Sequence, residues 1–358
     1  MDTKDLENLL ASMNRVGASA LHLVPGRSPA LRVQRRFVPG EGAPVSPSDV
    51  EELTRDMMFS DHRELLARTG SAEVLYVARG GRRYRATIAE VTTGTSLVLR
   101  PLPESTPRLE DLDLPEQVGS FTKGRRGLVF VAGFFGSGKS TTLAALVGTL
   151  NQDPARHIVT IEDSIEFVHG NGAALLHQRE VGTHVVSAAE GVRQAVAMGI
   201  DTIVVGEIRD AETLDAAITA AESGCLVFGG VEAGSIVGAF TELLLMAPAE
   251  DQARLRTRLS RALRGAMAQG LLQRSHRPGR VAVVEILVGN LAARAAIKKG
   301  NLSELTGIMQ RCRSLGMQTA DIGLRNLLNR HLISPEEALL HASDRDELLG
   351  RVVPMSVL

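Results

Sequence analysis

The sequence predicts an α/β protein whose central domain is built on a largely parallel β-sheet. Between residues 124 and 290, short apolar runs typical of buried strands alternate with segments of helical periodicity, as in repeated strand–helix units. The first apolar run, 127–132, passes directly into a glycine-rich loop and then into a helical segment. The chain has 358 residues, enough for two or three domains that each bury a hydrophobic core.

The glycine-rich loop has the pattern of a phosphate-binding loop. It fits G-x-x-x-x-G-K-[ST] at Gly133-Phe134-Phe135-Gly136-Ser137-Gly138-Lys139-Ser140, and Thr141 follows. Unpaired N–H groups and the positive dipole end at the start of the next helix favour a bound phosphate. We expect Lys139 to reach the β- and γ-phosphates of a nucleotide and the Ser140 hydroxyl to bind Mg²⁺. The flanking strand and helix favour this interpretation over a glycine-rich turn without function.

Composition and charge exclude several classes of protein. A formal net charge of −1 gives no reason to expect a polyanionic partner, and 3% aromatic residues without Trp provide no stacking surface for nucleic acid. The basic clusters at 32–36 and 254–264 are interpreted as solvated or interface-facing residues. We therefore expect no nucleic-acid partner.

Cysteine usage and the N-terminus indicate a cytoplasmic protein. Cys225 and Cys312 stand far apart without a C-x-x-C pair, so neither zinc nor a disulfide framework is expected. The acidic, amphipathic start is unlike a signal peptide, and no apolar run is long enough to form a transmembrane segment.

Secondary-structure patterns divide the chain into a small N-terminal α+β domain (1–103), a linker (104–123), the α/β core (124–290) and a helical C-terminal region (291–358). Pro101, Pro103 and Pro107 indicate the linker. In the core we expect strands at 157–161, 202–206, 226–229 and 281–288, and helices at 187–198, 210–223 and 248–272, the last with Leu255, Leu259, Leu263 and Met267 on one face. In the C-terminal region, Ser334 begins a helix as its cap.

Two acidic groups follow predicted strands of the core. One lies in 162–166, and the other is Glu207, after an apolar strand and a glycine. Ligands bind at the carboxyl ends of such strands, and nucleotide hydrolysis needs a carboxylate that orients water. Glu207 is therefore predicted to hold Mg²⁺ directly or through water. The alternative for either group is a solvated loop end or a helix cap.

Several motifs together resemble the PilT retraction ATPases of type IV pili, members of the secretion ATPase superfamily. The resemblance covers nearly the whole chain and is carried, in chain order, by residues 17–23 (GASALHL), 160–169 (TIEDSIEFVH), 178–181 (QREV), 205–210 (VGEIRD), 219–224 (TAAESG) and 314–319 (SLGMQT).

The resemblance implies a PAS-like N-terminal domain and a RecA-like core, assembled as a homo-hexamer with ATP and Mg²⁺ between subunits. Glu166 is then the catalytic base and Glu207 the Walker B acid near Mg²⁺. The arginines Arg83, Arg85 and Arg100 are implied to contact the nucleotide phosphates. The implied partners are a pilus platform protein of the inner membrane and a paralogous motor ATPase, so a peripheral location at the inner face of that membrane is expected.

Departures from the family pattern leave a second function open. Phe134 and Phe135 replace the Pro and Thr usual in the loop, both histidines of the family's histidine box are absent from 225–233, and Glu232 brings an acid there. Ala197 stands where the family has an arginine. The chain is therefore either an ATP-hydrolysing retraction motor or a catalytically weakened accessory paralogue that binds nucleotide. A pilus-extending ATPase is disfavoured because the four-cysteine zinc element of those relatives is missing.

Overall fold

The computed structural model describes residues 3–33 and 36–345, and the chain divides into two units, Met1–Glu104 and Ser105–Leu358. The basic residue Arg35 and residues 346–358 of the predicted helical region lie outside the described residues. In the described part of the chain, no helix combines the length and apolar character needed to cross a bilayer.

The first unit is a six-stranded antiparallel sheet with helices packed on one face. Its elements are α1 (Thr3–Arg15), β1 (Ala20–Leu23), β2 (Ala30–Val33), β3 (Arg36–Pro39), α2 (Pro47–Met57), α3 (Ser60–Thr69), β4 (Ser71–Val77), β5 (Arg83–Val91) and β6 (Gly94–Pro101). The strand order is β3-β2-β1-β6-β5-β4. Along β5 buried residues alternate with partly exposed ones, which places Tyr84, Ala86 and Ile88 in the core and the residues between them on a partly exposed face.

The second unit is the α/β core. Its elements are α4 (Glu116–Ser120), β7 (Gly127–Ala132), α5 (Lys139–Leu150), β8 (His157–Glu162), β9 (Leu175–Glu180), α6 (Ala188–Ala197), β10 (Thr202–Val205), α7 (Ala211–Glu222), β11 (Leu226–Val231), α8 (Ile236–Leu245), α9 (Gln252–Ala262), β12 (Leu263–Gln273), β13 (Arg280–Val288), α10 (Leu291–Lys299), α11 (Glu304–Arg311), α12 (Ala320–Asn329) and α13 (Pro335–His341). Six strands run parallel in the order β12-β7-β11-β10-β8-β9, and β13 joins β12 antiparallel at the edge. The predicted α/β class with a largely parallel sheet is confirmed.

Apolar side chains cover both faces of this sheet. On one face Phe130 of β7 meets Phe240 of α8 edge to face, with ring centroids 5.8 Å apart. On the other face Val129 and Val131 of β7 pack with Leu146 of α5. Full burial of each large side chain contributes about 1.5–3 kcal/mol, so β7 is held firmly from both sides. The loop that follows β7 therefore starts from a rigid strand.

One predicted helix is wrong. The leucine spacing in 248–272 predicted a single long helix, but α9 ends at Ala262 and the chain continues as β12. β12 pairs with β7 on one side and β13 on the other, and it is buried on both faces. A Cβ on Gly265 would come within 2.3 Å of the Phe121 ring, so this strand requires a glycine where a helix would not. Apolar residues at every fourth position do not distinguish a helix from a doubly buried strand.

Part of the predicted linker is folded. Leu109–Leu112 and Phe121–Lys123 form 3₁₀ turns on either side of α4, and Val118 and Phe121 are buried in the core. Asp113 receives ion pairs from Arg274 at 2.5 Å and Arg330 at 2.7 Å. These contacts fasten the start of the second unit to β12 and to the end of α12.

Candidate active site

The predicted phosphate loop connects β7 to α5. Gly136 and Gly138 have φ angles of 78° and 91°, in the left-handed region that other residues avoid. A Cβ on Gly133 would lie 2.2 Å from the Ser137 Oγ, so the loop can close this tightly only with glycine there. The glycines of the motif thus permit a compact turn that ends at the first turn of α5.

Polar groups of the loop fit a phosphate. Within the described residues, the buried Ser137 Oγ has no hydrogen-bond partner. The Lys139 Nζ donates to the carbonyl oxygen of Gly133, which holds the ammonium over the loop. The N–H groups of the first turn of α5 have no intrahelical acceptor. The oxygens of one phosphate group can accept hydrogen bonds from these donors.

Gln269 supports the loop from the neighbouring strand, and the sequence prediction missed it. Its Nε2 donates to the Ser137 carbonyl at 2.8 Å, and its Oε1 accepts from the Thr142 hydroxyl at 2.9 Å. The residue is 5% exposed and follows Ala268, which pairs with the last residue of β7. One amide therefore fixes both the crest of the loop and the start of α5. A lone polar residue in an apolar run was the available signal, but the run was interpreted as a helix.

The two predicted acidic groups meet at the ends of β8 and β10, because the Gly206 N–H donates to the Ile161 carbonyl at 2.8 Å. Arg209, also missed from the sequence, joins them. Its guanidinium lies 2.8 Å from an Asp163 oxygen and 2.9 Å from a Glu207 oxygen. The hydrogen bond to Glu207, followed by the charges of Asp163 and Glu232, raises the pKa of Arg209. The Glu207 side chain is 18% exposed, so this ion pair is partly shielded from water.

A second group of carboxylates surrounds the predicted base. Burial raises the pKa of Glu162, and the charges of Glu166 and Glu180 act in the same direction. Glu162 accepts a hydrogen bond from Thr160 at 2.6 Å, and Glu180 accepts one from the Ile165 N–H at 3.1 Å. Glu166 is half-buried. Glu166 therefore lies near other acidic residues. It is on the same loop as Asp163, and Arg209 links Asp163 to Glu207.

The loop phenylalanines and Glu232, three of the residues that depart from the family pattern, belong to neighbouring segments. The Gly133 N–H donates to the Val231 carbonyl at 3.1 Å, so Glu232 follows immediately beside the start of the phosphate loop. A Cβ on Gly234 would lie 2.7 Å from the Phe134 ring, which therefore packs against that glycine. Phe135 is 94% exposed and extends into solvent. The phosphate loop therefore contacts the segment that corresponds to the family's histidine box, through the Gly133–Val231 hydrogen bond.

The three predicted arginines belong to the first unit, where they share the partly exposed face of the sheet. Arg85 on β5 lies directly opposite Arg100 on β6. The Arg83 guanidinium donates to the Pro103 carbonyl at 3.1 Å, and Arg85 lies 4.0 Å from Glu73. The structure therefore brings these arginines together within their own unit.

The donor groups of the described residues limit how a metal ion could be held. Across 3–33 and 36–345, no three His, Cys, Asp or Glu side chains form a cluster that could hold a metal ion. Mg²⁺ carried by a nucleotide needs only one or two protein ligands, because phosphates and water supply the rest. The Ser140 hydroxyl and the Glu207 carboxylate are oxygen donors of the preferred kind.

Comparisons with known proteins show which family this chain resembles. The family model described as "Type II/IV secretion system protein" matches residues 75–307. The type IV pilus retraction ATPase PilT of Pseudomonas aeruginosa is 36% identical over 334 residues, 93% of this chain and 97% of the relative. The type IV pilus ATPase PilU of the same organism is 33% identical over 96% of this chain and 90% of its own length.

Solved structures of related proteins have the same fold as this chain. A crystal structure of the pilus retraction motor PilT with bound ADP has a TM-score of 0.86 and 32% identity, covering 96% of this chain and 98% of the other. The ATPase DotB of Legionella pneumophila has a TM-score of 0.79 at 24% identity, covers 95% of both chains, and supports the fold alone. The chain therefore belongs to the type II/IV secretion system protein family and, within it, to the PilT-like pilus retraction ATPases that its sequence motifs predicted.

Proposed function

We propose that this chain is the ATP-hydrolysing subunit of a motor that retracts type IV pili. The observation that carries the proposal is the phosphate loop, lying at the same edge of the sheet as the loops that bear Glu166 and Glu207. Hydrolysis of a nucleotide requires this combination of a phosphate cradle and nearby carboxylates. The whole-chain similarity to PilT and to a gonococcal twitching motility protein, 34% identical over 85% of this chain and 81% of that protein, supports retraction as the process driven.

Each residue has a role that its chemistry can perform. The N–H groups of Gly136 and of Gly138 to Thr141 bind the β- and γ-phosphates, and Lys139 exchanges the Gly133 carbonyl for a phosphate oxygen, a stronger charge-assisted partner. The Glu166 carboxylate orients the attacking water and accepts its proton. Bound with ATP and held by Ser140 and Glu207, Mg²⁺ would neutralise charge on the β- and γ-phosphates.

We also propose how the chain assembles and where in the cell it acts. The chain works as a homo-hexamer with nucleotide between subunits, in which Arg83, Arg85 and Arg100 contact the phosphates. It acts at the inner face of the cytoplasmic membrane on a pilus platform protein, alongside a paralogous motor ATPase. Arg85 and Arg100 lie directly opposite each other on β5 and β6, and this pairing supports the arginine roles because arginine binds phosphate through paired N–H donors.

The test is complementation of cells from which the native copy has been deleted. The wild-type chain should restore pilus retraction and surface twitching. Lys139→Ala should not, whereas Lys123→Ala, which removes an exposed ammonium outside the loop, should behave as wild type. Equal restoration by Lys139→Ala would contradict the proposal.

The accessory role is the second candidate, and the position of Glu232 favours it. This acid lies beside the phosphate loop and repels a triphosphate, although Arg209 offsets part of its charge. An accessory chain should bind ATP and yet show almost no turnover when purified. In that case Glu232→Gln should tighten ATP binding several-fold, and an unchanged affinity would remove the observation on which this candidate rests.

A further inference from the structure

A concave site in the second unit lies away from the phosphate loop. It is a cavity of about 680 Å³ whose lining includes Arg126, Arg261, Arg264 and Arg294, together with Gln117 and Glu222. These residues come from the approach to β7, the end of α9, the start of β12, the helix α10, α4 and the end of α7. We call this cavity the arginine pocket.

The arginine pocket is separate from the active site. Arg126 precedes the first residue of β7, whereas the phosphate loop begins after the last residue of that six-residue strand. At about 3.3 Å per residue the two ends of β7 are ~20 Å apart. The pocket therefore opens at the amino ends of the strands and the nucleotide site at their carboxyl ends.

Two of the four guanidinium groups are fixed by main-chain oxygens. Arg264 donates to the carbonyls of Phe121 and Ser120 at 3.3 and 3.4 Å. Arg294 donates to the carbonyls of Gly289 and Arg261 at 2.7 and 2.9 Å. These acceptors are neutral, so they orient the two groups without cancelling their charge.

Positive charge in the arginine pocket is only weakly compensated. The acidic lining residue is Glu222, whose carboxylate is 2.8 Å from the Arg258 guanidinium on α9. Four arginines and one glutamate leave a formal excess of three positive charges. Burial, followed by the charge of Arg156, lowers the pKa of Arg264, which indicates that this cation is held at a cost. Attraction to a bound anion offsets part of that cost.

We propose that the arginine pocket is a second anion site that binds a soluble ligand bearing phosphate groups. Planar guanidinium groups pair with phosphate through two parallel hydrogen bonds, and several of them around one cavity suit a ligand with more than one phosphate. The volume lies within the range of about 300–1,000 Å³ that is usual for small-molecule sites. A flat anionic membrane does not enter such a cavity, and one carboxylate from a peptide satisfies only one of the four groups.

Isothermal titration calorimetry tests this proposal on the full chain, with pyrophosphate as the probe. The protein is first saturated with ADP without Mg²⁺, so that the phosphate loop is occupied. We expect one pyrophosphate to bind per chain. The double variant Arg126→Gln/Arg261→Gln should weaken that binding at least tenfold. Arg254→Gln, which removes the same charge from an exposed residue of α9, should leave it unchanged.

Several outcomes would overturn the proposal. The first is the absence of pyrophosphate binding after ADP saturation. The second is a loss of pyrophosphate affinity in the Arg254→Gln control equal to that in the double variant. The third is binding to phosphatidylglycerol vesicles or a polyglutamate peptide without binding to pyrophosphate. ADP affinity and the melting temperature of each variant establish that it is folded. If the double variant is unfolded, Arg126→Gln alone, a change at an exposed residue, should still weaken binding several-fold.

Discussion

Replacing Gln269 by leucine removes the amide that joins β12 to the phosphate loop while nearly preserving side-chain volume. Two hydrogen bonds are lost, at 2.8 and 2.9 Å, and each contributes about 0.5–1.5 kcal/mol. The Ser137 carbonyl and the Thr142 hydroxyl then lose their buried partner, and each such group that water does not reach costs about 1–3 kcal/mol instead. Ser137 and Thr142 are both buried, so we expect a total loss of about 2–6 kcal/mol in the free energy of unfolding.

The effect on nucleotide binding is the more informative result. Without the amide, the crest of the loop no longer has one position, so part of the ATP binding energy is needed to order it. A cost of about 1.4–2.8 kcal/mol weakens binding ten- to a hundredfold. Thr142→Val removes only one of the two bonds and should weaken ATP binding by a smaller factor. Gln273→Leu, at the exposed end of the same strand, should bind ATP as wild type does.

A fluorescent ATP analogue gives the dissociation constant, and thermal melting with and without nucleotide gives stability. The expected order of ATP affinity is wild type and Gln273→Leu, then Thr142→Val, then Gln269→Leu. If Gln269→Leu melts at a lower temperature but binds ATP like the wild type, Gln269 only supports the core and its role in positioning the loop is refuted.

Three further predictions concern other contacts. Arg209→Gln leaves Asp163, Glu207 and Glu232 without their shared cation. We therefore expect kcat/KM for ATP to fall at least tenfold and to recover partly in Arg209→Lys. An unchanged steady-state rate would contradict this. Gly234→Ala places a Cβ against the Phe134 ring and should weaken ATP binding. Binding should recover in the double variant Gly234→Ala/Phe134→Ala. Additive effects in this double-mutant cycle would rule out the contact. Asp113→Asn removes the anchor for Arg274 and Arg330 and should lower the melting temperature at pH 7. The hydrogen bond from Arg274 lowers the pKa of Asp113, so its stabilisation is present above the unfolded pKa of about 3.9 and disappears as pH falls through the lower folded pKa. The melting temperatures of wild type and Asp113→Asn should therefore converge in acid; a constant difference would contradict the assignment.

Local sequence signals predicted the parts of the fold that local chemistry determines. The phosphate loop could be located because its glycines, Lys139 and the flanking strand and helix are adjacent in sequence. The cap at Ser334 was predicted for the same reason, and its side chain accepts the expected N–H, from Glu337. The class of the core followed from its alternating strands and helices.

Other features depend on contacts between distant segments. Gln269 lies 132 residues from Ser137, and nothing in its own neighbourhood indicates which loop it supports. The polar edge strand β9 is half-buried and has no apolar alternation, so it was not predicted. The role of Arg209 could not be predicted from the 205–210 motif, because its partners Asp163 and Glu207 become neighbours only when β8 and β10 pair. The roles of Arg83, Arg85 and Arg100 came from family resemblance and remain proposals.

The central claim is that this phosphate loop and these carboxylates hydrolyse ATP. The most direct test is steady-state ATP turnover by the purified full-length chain, its Glu166→Gln variant and the control Glu242→Gln, which changes an exposed acid on α8. We expect turnover by the wild type and Glu242→Gln, and loss of at least about a hundredfold in Glu166→Gln with ATP binding retained. Turnover by Glu166→Gln at the wild-type rate, or wild-type turnover no higher than that of Lys139→Ala, would contradict the claim.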